Sequence, residues 1–177
     1  MGAPACVAKV EEMAVLGVKK IVFIGTAGSL QSNLRAGDVV LVAKAISDEG
    51  TSRHYSKETV FEPDPTWFNE VALSFRQKGI AFQSGTTIST DAPYRETRTK
   101  LNKMGNSGVL TIDMEASAVY AACKTLCIAA VGVFIISDEL FDGRWVPHFG
   151  KSHLRDKFIS TAGFVAQLMS RSKKNDL

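Results

Sequence analysis

Apolar, strand-like runs alternate with helical patterns along almost the whole sequence, and the most hydrophobic of them, residues 128–136, ends in Ser137-Asp138-Glu139. This alternation constrains the fold more than any other feature. Strands separated by helices pair through crossovers, so the expected class is α/β: a central mixed, largely parallel sheet flanked by helices. Residues 4–16 read as the first helix, with Val7, Val10, Met13 and Ala14 on one face and Gly17 ending it. Further helices are expected over 66–78, 95–104, 114–126 and 153–170, and strands over 20–24, 39–46, 80–88, 109–112 and 128–136. Between them lie a small-residue turn at Gly25-Thr26-Ala27-Gly28-Ser29, a Gly37-Asp38 turn and a polar segment over 47–55. A loop with Pro63 and Pro65, a loop over 89–94 and a Gly- and Pro-containing loop over 141–149 complete the pattern.

The chain has 177 residues, without repeat, linker or low-complexity tract, which predicts a single domain with a sizeable core. It opens directly in a helix, although α/β domains commonly begin on a strand, so an amino-terminal element is expected to precede it. The net charge of +3 is scattered, apart from Arg171-Ser172-Lys173-Lys174, which reads as a solvated helix end. No basic stripe interleaved with aromatics accompanies it, which argues against nucleic acid as a partner. No run is long enough to span a bilayer, and the first residues lack the charged start and apolar run of a signal peptide. Cys6, Cys123 and Cys127 are odd in number and lack metal-ligand spacing. They fit a reducing compartment, so a cytoplasmic protein without a bound metal is expected.

Two carboxylates carry the chemistry. Glu115 and Asp138 each follow an apolar run, so strands in one sheet would bring both to its carboxyl-terminal edge, where open α/β sheets place ligands. Glu115, in Asp113-Met114-Glu115, can favour a helix N-terminus through the macrodipole, with Asp113 as N-cap. It can equally accept hydrogen bonds from a vicinal diol such as a ribose 2′- and 3′-hydroxyl pair, with Met114 on the sugar's apolar face. A carboxyl at the end of the most apolar strand sits beside a low-dielectric core, which favours the neutral form and suits a general acid. Asp138 can also cap the next segment. The glycines of the Gly25 turn allow close backbone approach to an anion, or form an ordinary tight turn. Tyr94 stacks on a base or fills a gap, Arg95 is an anion ligand or a solvated helix start, and His54 contacts a sugar hydroxyl or is structural.

In order along the chain, Gly25-Thr26-Ala27-Gly28, Gly37-Asp38, Asp113-Met114-Glu115 and Ser137-Asp138 resemble the nucleoside phosphorylase and nucleosidase superfamily. That superfamily includes hexameric purine nucleoside phosphorylases, uridine phosphorylases and methylthioadenosine nucleosidases. Glu49-Gly50-Thr51-Ser52 with His54-Tyr55, and Thr90-Asp91-Ala92-Pro93-Tyr94, look most like its uridine-phosphorylase-like branch. The resemblance covers essentially the whole chain, which it implies is truncated at the amino terminus relative to the family.

The resemblance implies phosphorolysis of a nucleoside to a base and ribose 1-phosphate, with phosphate as co-substrate and no further cofactor. Asp138 would serve N7 of a purine leaving group. Glu115, Met114, Tyr94, Thr90 and His54 would bind the nucleoside, and Thr26, Gly25 and Arg95 the phosphate. Asp138 favours a purine, whereas the branch likeness favours uridine. Pro93 occupies the closest match to the family's base-stacking aromatic, with Tyr94 beside it. Family phosphorylases carry an Arg three residues before the Thr26 position, where this chain has Phe23. The hydrolytic nucleosidases also lack that Arg, so hydrolysis is the alternative. A third expectation is a truncated, catalytically weak nucleoside-binding domain. The family likeness further implies a homodimer or a higher homo-oligomer.

Overall fold

A computed structural model describes residues 1–175, with side chains through Ser170. The side chains of the basic run at Arg171 to Lys174 therefore lie outside the described residues. In chain order the elements are α1 (Ala3–Val15), β1 (Lys20–Ser29), β2 (Val39–Asp48), β3 (Val60–Phe61), α2 (Pro65–Gln77) and β4 (Gln83–Thr90). They continue with α3 (Arg98–Asn106), β5 (Val109–Asp113), α4 (Ala116–Thr125), β6 (Ala129–Glu139), β7 (Val146–Pro147) and α5 (Ser152–Asn175). Short 3₁₀ turns occupy Ser52–His54, Pro93–Arg95 and Phe141–Gly143. No described helix is long and apolar enough to cross a membrane.

The sheet is mixed, in the order β3-β2-β4-β5-β1-β6-β7, and helices flank it as the alternation predicts. Its longest pairings, β1 with β6 and β2 with β4, are parallel. What the alternation does not predict is closure. β2 also pairs antiparallel with β6, through Val39↔Ile135 to Val42↔Gly132. Strands β2, β4, β5, β1 and β6 therefore form a closed ring rather than an open sheet. Closure removes sheet edges that would otherwise template association. It depends on close approach: a Cβ at Gly132 would sit 2.5 Å from the Phe23 ring and 3.1 Å from Val42.

Apolar clusters fix the helices on the ring. Val7 and Val10 of α1 belong to one cluster with Val119 and Cys123 of α4, together with Val40, Val42 and Ile136 of the strands. Trp67, Val71 and Phe75 of α2 meet Val165 of α5 against Val131 and Val133 in a second. Leu101 of α3 joins Leu30, Ile88, Ile112 and Leu140 in a third, close to the upper end of β6. Complete burial of side chains such as Phe75 and Val71 contributes about 1.5–3 kcal/mol each.

Several boundaries differ from expectation. The Gly25–Ser29 segment is not a turn but the second half of β1. It stays paired with β6 throughout and adds an antiparallel pairing to β5 at Gly28 and Ser29. Its small residues serve the packing of neighbours rather than a reversal of the chain. The expected strand over 80–88 begins instead at Gln83, because Ile80 belongs to the end of α2, where its N–H bonds Phe75 O at 3.0 Å after Gly79 turns with φ +73°. Pro65, expected in a loop, is in the first turn of α2, with Asp64 accepting from Trp67 N at 2.8 Å as N-cap. The polar helix begins at Arg98 rather than 95, capped by Thr97. Ser137, Asp138 and Glu139 extend β6, held there by β7 at Pro147 and Val146.

Candidate active site

The carboxyl ends of β1, β5 and β6 open into one cleft of about 820 Å³. It is lined by Phe23, Gly25, Thr26 and Gly28 of the central β1, by Asp113, Met114 and Glu115 at the end of β5 on one side, and by Ser137, Asp138 and Leu140 at the end of β6 on the other. Pro93, Tyr94, Glu96, Trp145 and Phe149 stand around it. The register explains the gathering: Thr26 lies opposite Ile135 and Gly28 opposite Asp138 in the parallel β1–β6 pair. A bulge between Ala27 and Gly28 shifts that register by one residue. Gly28 is required by close approach, since a Cβ there would lie 2.5 Å from Leu140 and 3.2 Å from Asp138 Oδ2.

Glu115 sits at the N-cap position of α4, but its side chain caps nothing. Its carboxylate faces the cleft, where Oε1 accepts from Gly2 N at 2.6 Å and lies 3.2 Å from the Met1 amino group. It is thus a positioned acceptor for N–H or O–H donors. The capping falls to Asp113, whose Oδ2 accepts from Glu115 N at 2.8 Å and Ala116 N at 2.6 Å. Its Oδ1 accepts from Ser89 Oγ at 2.8 Å and Thr87 Oγ1 at 3.1 Å. Burial pushes Asp113 up to about 6, against the opposing pull of the Ala116 and Glu115 amides and the Ser89 hydroxyl.

A polar chain extends this support. Ser117 N bonds Ser89 Oγ at 2.9 Å, and Ser117 Oγ bonds Glu49 Oε1 at 2.9 Å. Glu49 is buried and also accepts from Ser47 Oγ and from the amides of Thr51 and Ser52. Burial opposes its charge, yet the bonds from Ser52, Ser117 and Ser47 hold its pKa below the usual range. The start of α4, and with it Glu115, is therefore tied to β4 through the Ser117 amide and to the segment after β2 through the Ser117 hydroxyl.

On β6, both oxygens of Asp138 are taken. Oδ1 accepts from Ser137 Oγ at 2.7 Å and Oδ2 from Trp145 Nε1 at 2.9 Å. The loop over 141–149 thus reaches back over the acid. Glu96, beside the 3₁₀ turn Pro93–Arg95, is pushed up to about 7, by burial first and then by the negative charge of Asp138, with Lys100 opposing.

Of the residues expected at the site, Asp138, Glu115, Met114, Tyr94, Thr26 and Gly25 line this cleft, although Tyr94 is fully exposed at its mouth. Thr90, His54 and Arg95 do not line it. Thr90 is buried and its hydroxyl accepts from Ala92 N, while His54 and Arg95 are exposed on 3₁₀ turns. Phe23, in place of the family Arg, packs edge-on against Tyr120 at 5.5 Å and Phe134 at 6.1 Å. Glu49 entered the sequence reading only within the Glu49-Gly50-Thr51-Ser52 motif, without a role of its own, and Glu96 and Trp145 were missed. No periodicity singles them out, because each reaches its partners across the fold from an irregular segment.

Comparison with known proteins bears on the same elements. The chain is 28% identical over 146 residues to proteins named purine nucleoside phosphorylase DeoD-type from Bacillus cytotoxicus, Bacillus cereus and Bacillus thuringiensis. The alignment covers 81% of this chain and 62% of each relative, so the chain spans less than two thirds of the length of these proteins. Residues 1–163 match the family described as the Phosphorylase superfamily, and with that match over nearly all of the described fold the chain belongs to the Phosphorylase superfamily.

Proposed function

We propose that the cleft binds a nucleoside and that the chain is a nucleoside phosphorylase, with purine nucleosides as substrates and inorganic phosphate as co-substrate. The observation that carries this reading is that Glu115, after β5, and Asp138, on β6, flank β1 and line one cleft together with Gly25 and Thr26 of that strand. Glu115 accepts hydrogen bonds from the ribose 2′- and 3′-hydroxyls, and Met114 packs on the sugar. Thr26 and the backbone at Gly25 hold phosphate below the sugar. As the C1′–N9 bond breaks, positive charge develops on the sugar and a phosphate oxygen bonds C1′. The electron pair moves into the base, where Asp138 interacts with N7. Binding accelerates the step only to the extent that these contacts strengthen in the transition state.

Hydrolysis, with water in place of phosphate, is favoured by one observation. The position of the family's phosphate-binding Arg holds Phe23, whose ring is committed to an aromatic cluster with Tyr120 and Phe134. Base release from inosine, adenosine, methylthioadenosine and uridine, each with and without phosphate, separates the readings. Release that depends on phosphate and is fastest with a purine supports the proposal. Release at the same rate without phosphate overturns phosphorolysis, and preference for uridine overturns the purine assignment. A homodimer or larger ring is proposed from the family likeness, and the exposed Tyr94, Trp145 and Phe149 at the cleft mouth support a neighbouring copy there. Light scattering tests it, and a monodisperse monomer would refute it.

A further inference from the structure

Asp138 is poorly placed to donate a proton alone. Both of its oxygens are engaged as acceptors, from Ser137 and from the Trp145 indole. Glu96 differs. It lines the same cleft, is half-buried, and its carboxyl group has no hydrogen-bond partner among the described residues. It lies near enough to Asp138 for their charges to interact. Both carboxylates line one cleft, and burial together with the Asp138 charge disfavours ionisation of Glu96.

We propose that Glu96 and Asp138 form an acid pair that holds one proton at the base end of the cleft, with Glu96 as its seat and Asp138 as its hydrogen-bonded neighbour. Resting on the purine reading above, the pair gives that proton to N7 as the C1′–N9 bond breaks. The bonding electrons go to the base, the proton goes to N7, both carboxylates are left charged, and a proton from water restores the pair.

The charged groups that face Glu96 are Asp138 on β6 and Lys100 on α3. Lys100 is also paired with Asp48 at the end of β2, which draws its charge away from the carboxyl. Burial and the Asp138 charge together place the titration of Glu96 near pH 7.

Trp145 supplies a readout that needs no turnover, because its indole donates to Asp138 while the second tryptophan, Trp67, is buried against Ile21 O. A pH titration of tryptophan emission on the whole chain should show a transition near pH 7 that is lost in Trp145→Phe. Glu96→Gln should abolish the transition, and Asp138→Asn should move it to lower pH by removing the like charge. Persistence of the transition in Glu96→Gln, its absence from the parent chain, or an unmoved midpoint in Asp138→Asn would each overturn the acid pair. Far-ultraviolet circular dichroism confirms that each variant is folded, and carboxyl chemical shifts of the labelled parent chain give the same midpoint if a variant is not. In base release, Glu96→Gln should slow turnover and remove a limb of its pH profile near pH 7, with the nucleoside KM little changed. An unchanged profile would overturn proton delivery by the pair. If the parent chain releases no base from any nucleoside, the functional reading and proton delivery both fail, while the emission titration still decides the pair.

Discussion

Asp113→Asn makes the strongest test of how the site is held. In the parent chain the buried Asp113 carboxyl accepts four hydrogen bonds, from the amides of Glu115 and Ala116 and the hydroxyls of Ser89 and Thr87. Asparagine fits the same space. Its carbonyl oxygen can accept from the two amides, and its NH2 group can donate to the hydroxyls, which have free lone pairs. Thr87 Oγ1 already donates to Thr111 O at 3.1 Å and can turn to it fully. What the variant removes is ionisation.

Burial raises Asp113 from 3.8 to about 6, so the folded state holds this proton more tightly than the unfolded chain does. The extra stability is therefore fully present below the unfolded pKa and is lost as pH rises through the folded one. A difference of roughly two pH units corresponds to about 3 kcal/mol, about half of it recovered by pH 5. Other carboxylates respond oppositely, and Glu49 and Glu139, both held below the usual range, weaken the fold in acid. Subtracting the variant from the parent cancels them. Urea unfolding of both proteins by circular dichroism, from pH 7 down to pH 4, should show the parent gaining on Asp113→Asn by about 2–3 kcal/mol as pH falls. A difference that is flat with pH, or that grows as pH rises, would refute the account of Asp113 as a carboxyl ionised against its burial.

Glu115→Ala should abolish ribose-dependent binding measured by calorimetry, whereas Asp138→Ala should chiefly slow purine release. If neither changes binding or turnover, these two acids are not the site. Gly28→Val should displace Leu140 and Asp138, because a Cβ at Gly28 already meets Leu140 at 2.5 Å. Its crystal structure should show the Asp138–Trp145 bond broken, and an unmoved Asp138 would count against the close-approach argument. Tyr120→Phe should cost about 2–4 kcal/mol in urea unfolding, since it strands a buried acceptor and a buried donor. The Tyr120 hydroxyl gives to Val42 O at 2.7 Å and takes from Gly132 N at 2.9 Å, bridging the two strands that close the ring. A loss below about 1 kcal/mol would mean the ring tolerates those groups unpaired.

The strand-to-helix alternation was enough to read the mixed, helix-flanked sheet, and Glu115 and Asp138 stand out because each ends a β-prone run. Closure of the ring was not legible. It depends on Gly132 letting β6 approach Val42 of β2, a shape match between residues far apart in the chain. The Gly25–Ser29 segment misled for a related reason: small residues signal a turn locally, yet here they let Phe134 and Leu140 approach a strand. Glu96 and Trp145 were hidden because a polar stretch and a Gly- and Pro-rich loop carry no period that says which way a side chain faces. Only the fold brings them to Asp138.

The neighbouring acids at the end of β6 show what separates a site from a support. Successive residues of a strand point to opposite sides, and β7 keeps Asp138 and Glu139 extended rather than letting them turn. Glu139 is directed away from the cleft, accepting from Arg35 Nη1 at 2.7 Å and Ala36 N at 3.1 Å. Burial works against its charge, but that amide and guanidinium keep it ionised below the usual range, and it anchors the segment before β2. Asp138 has neutral donors and another acid near it instead of a cation. A carboxylate already matched to a fixed positive charge gains little from a ligand's proton. One held by an indole and a hydroxyl, beside a half-buried Glu96, retains that capacity. The same strand end therefore yields one acid matched to a fixed cation and one that lines the cleft, and a one-residue slip in the β1–β6 register would exchange them.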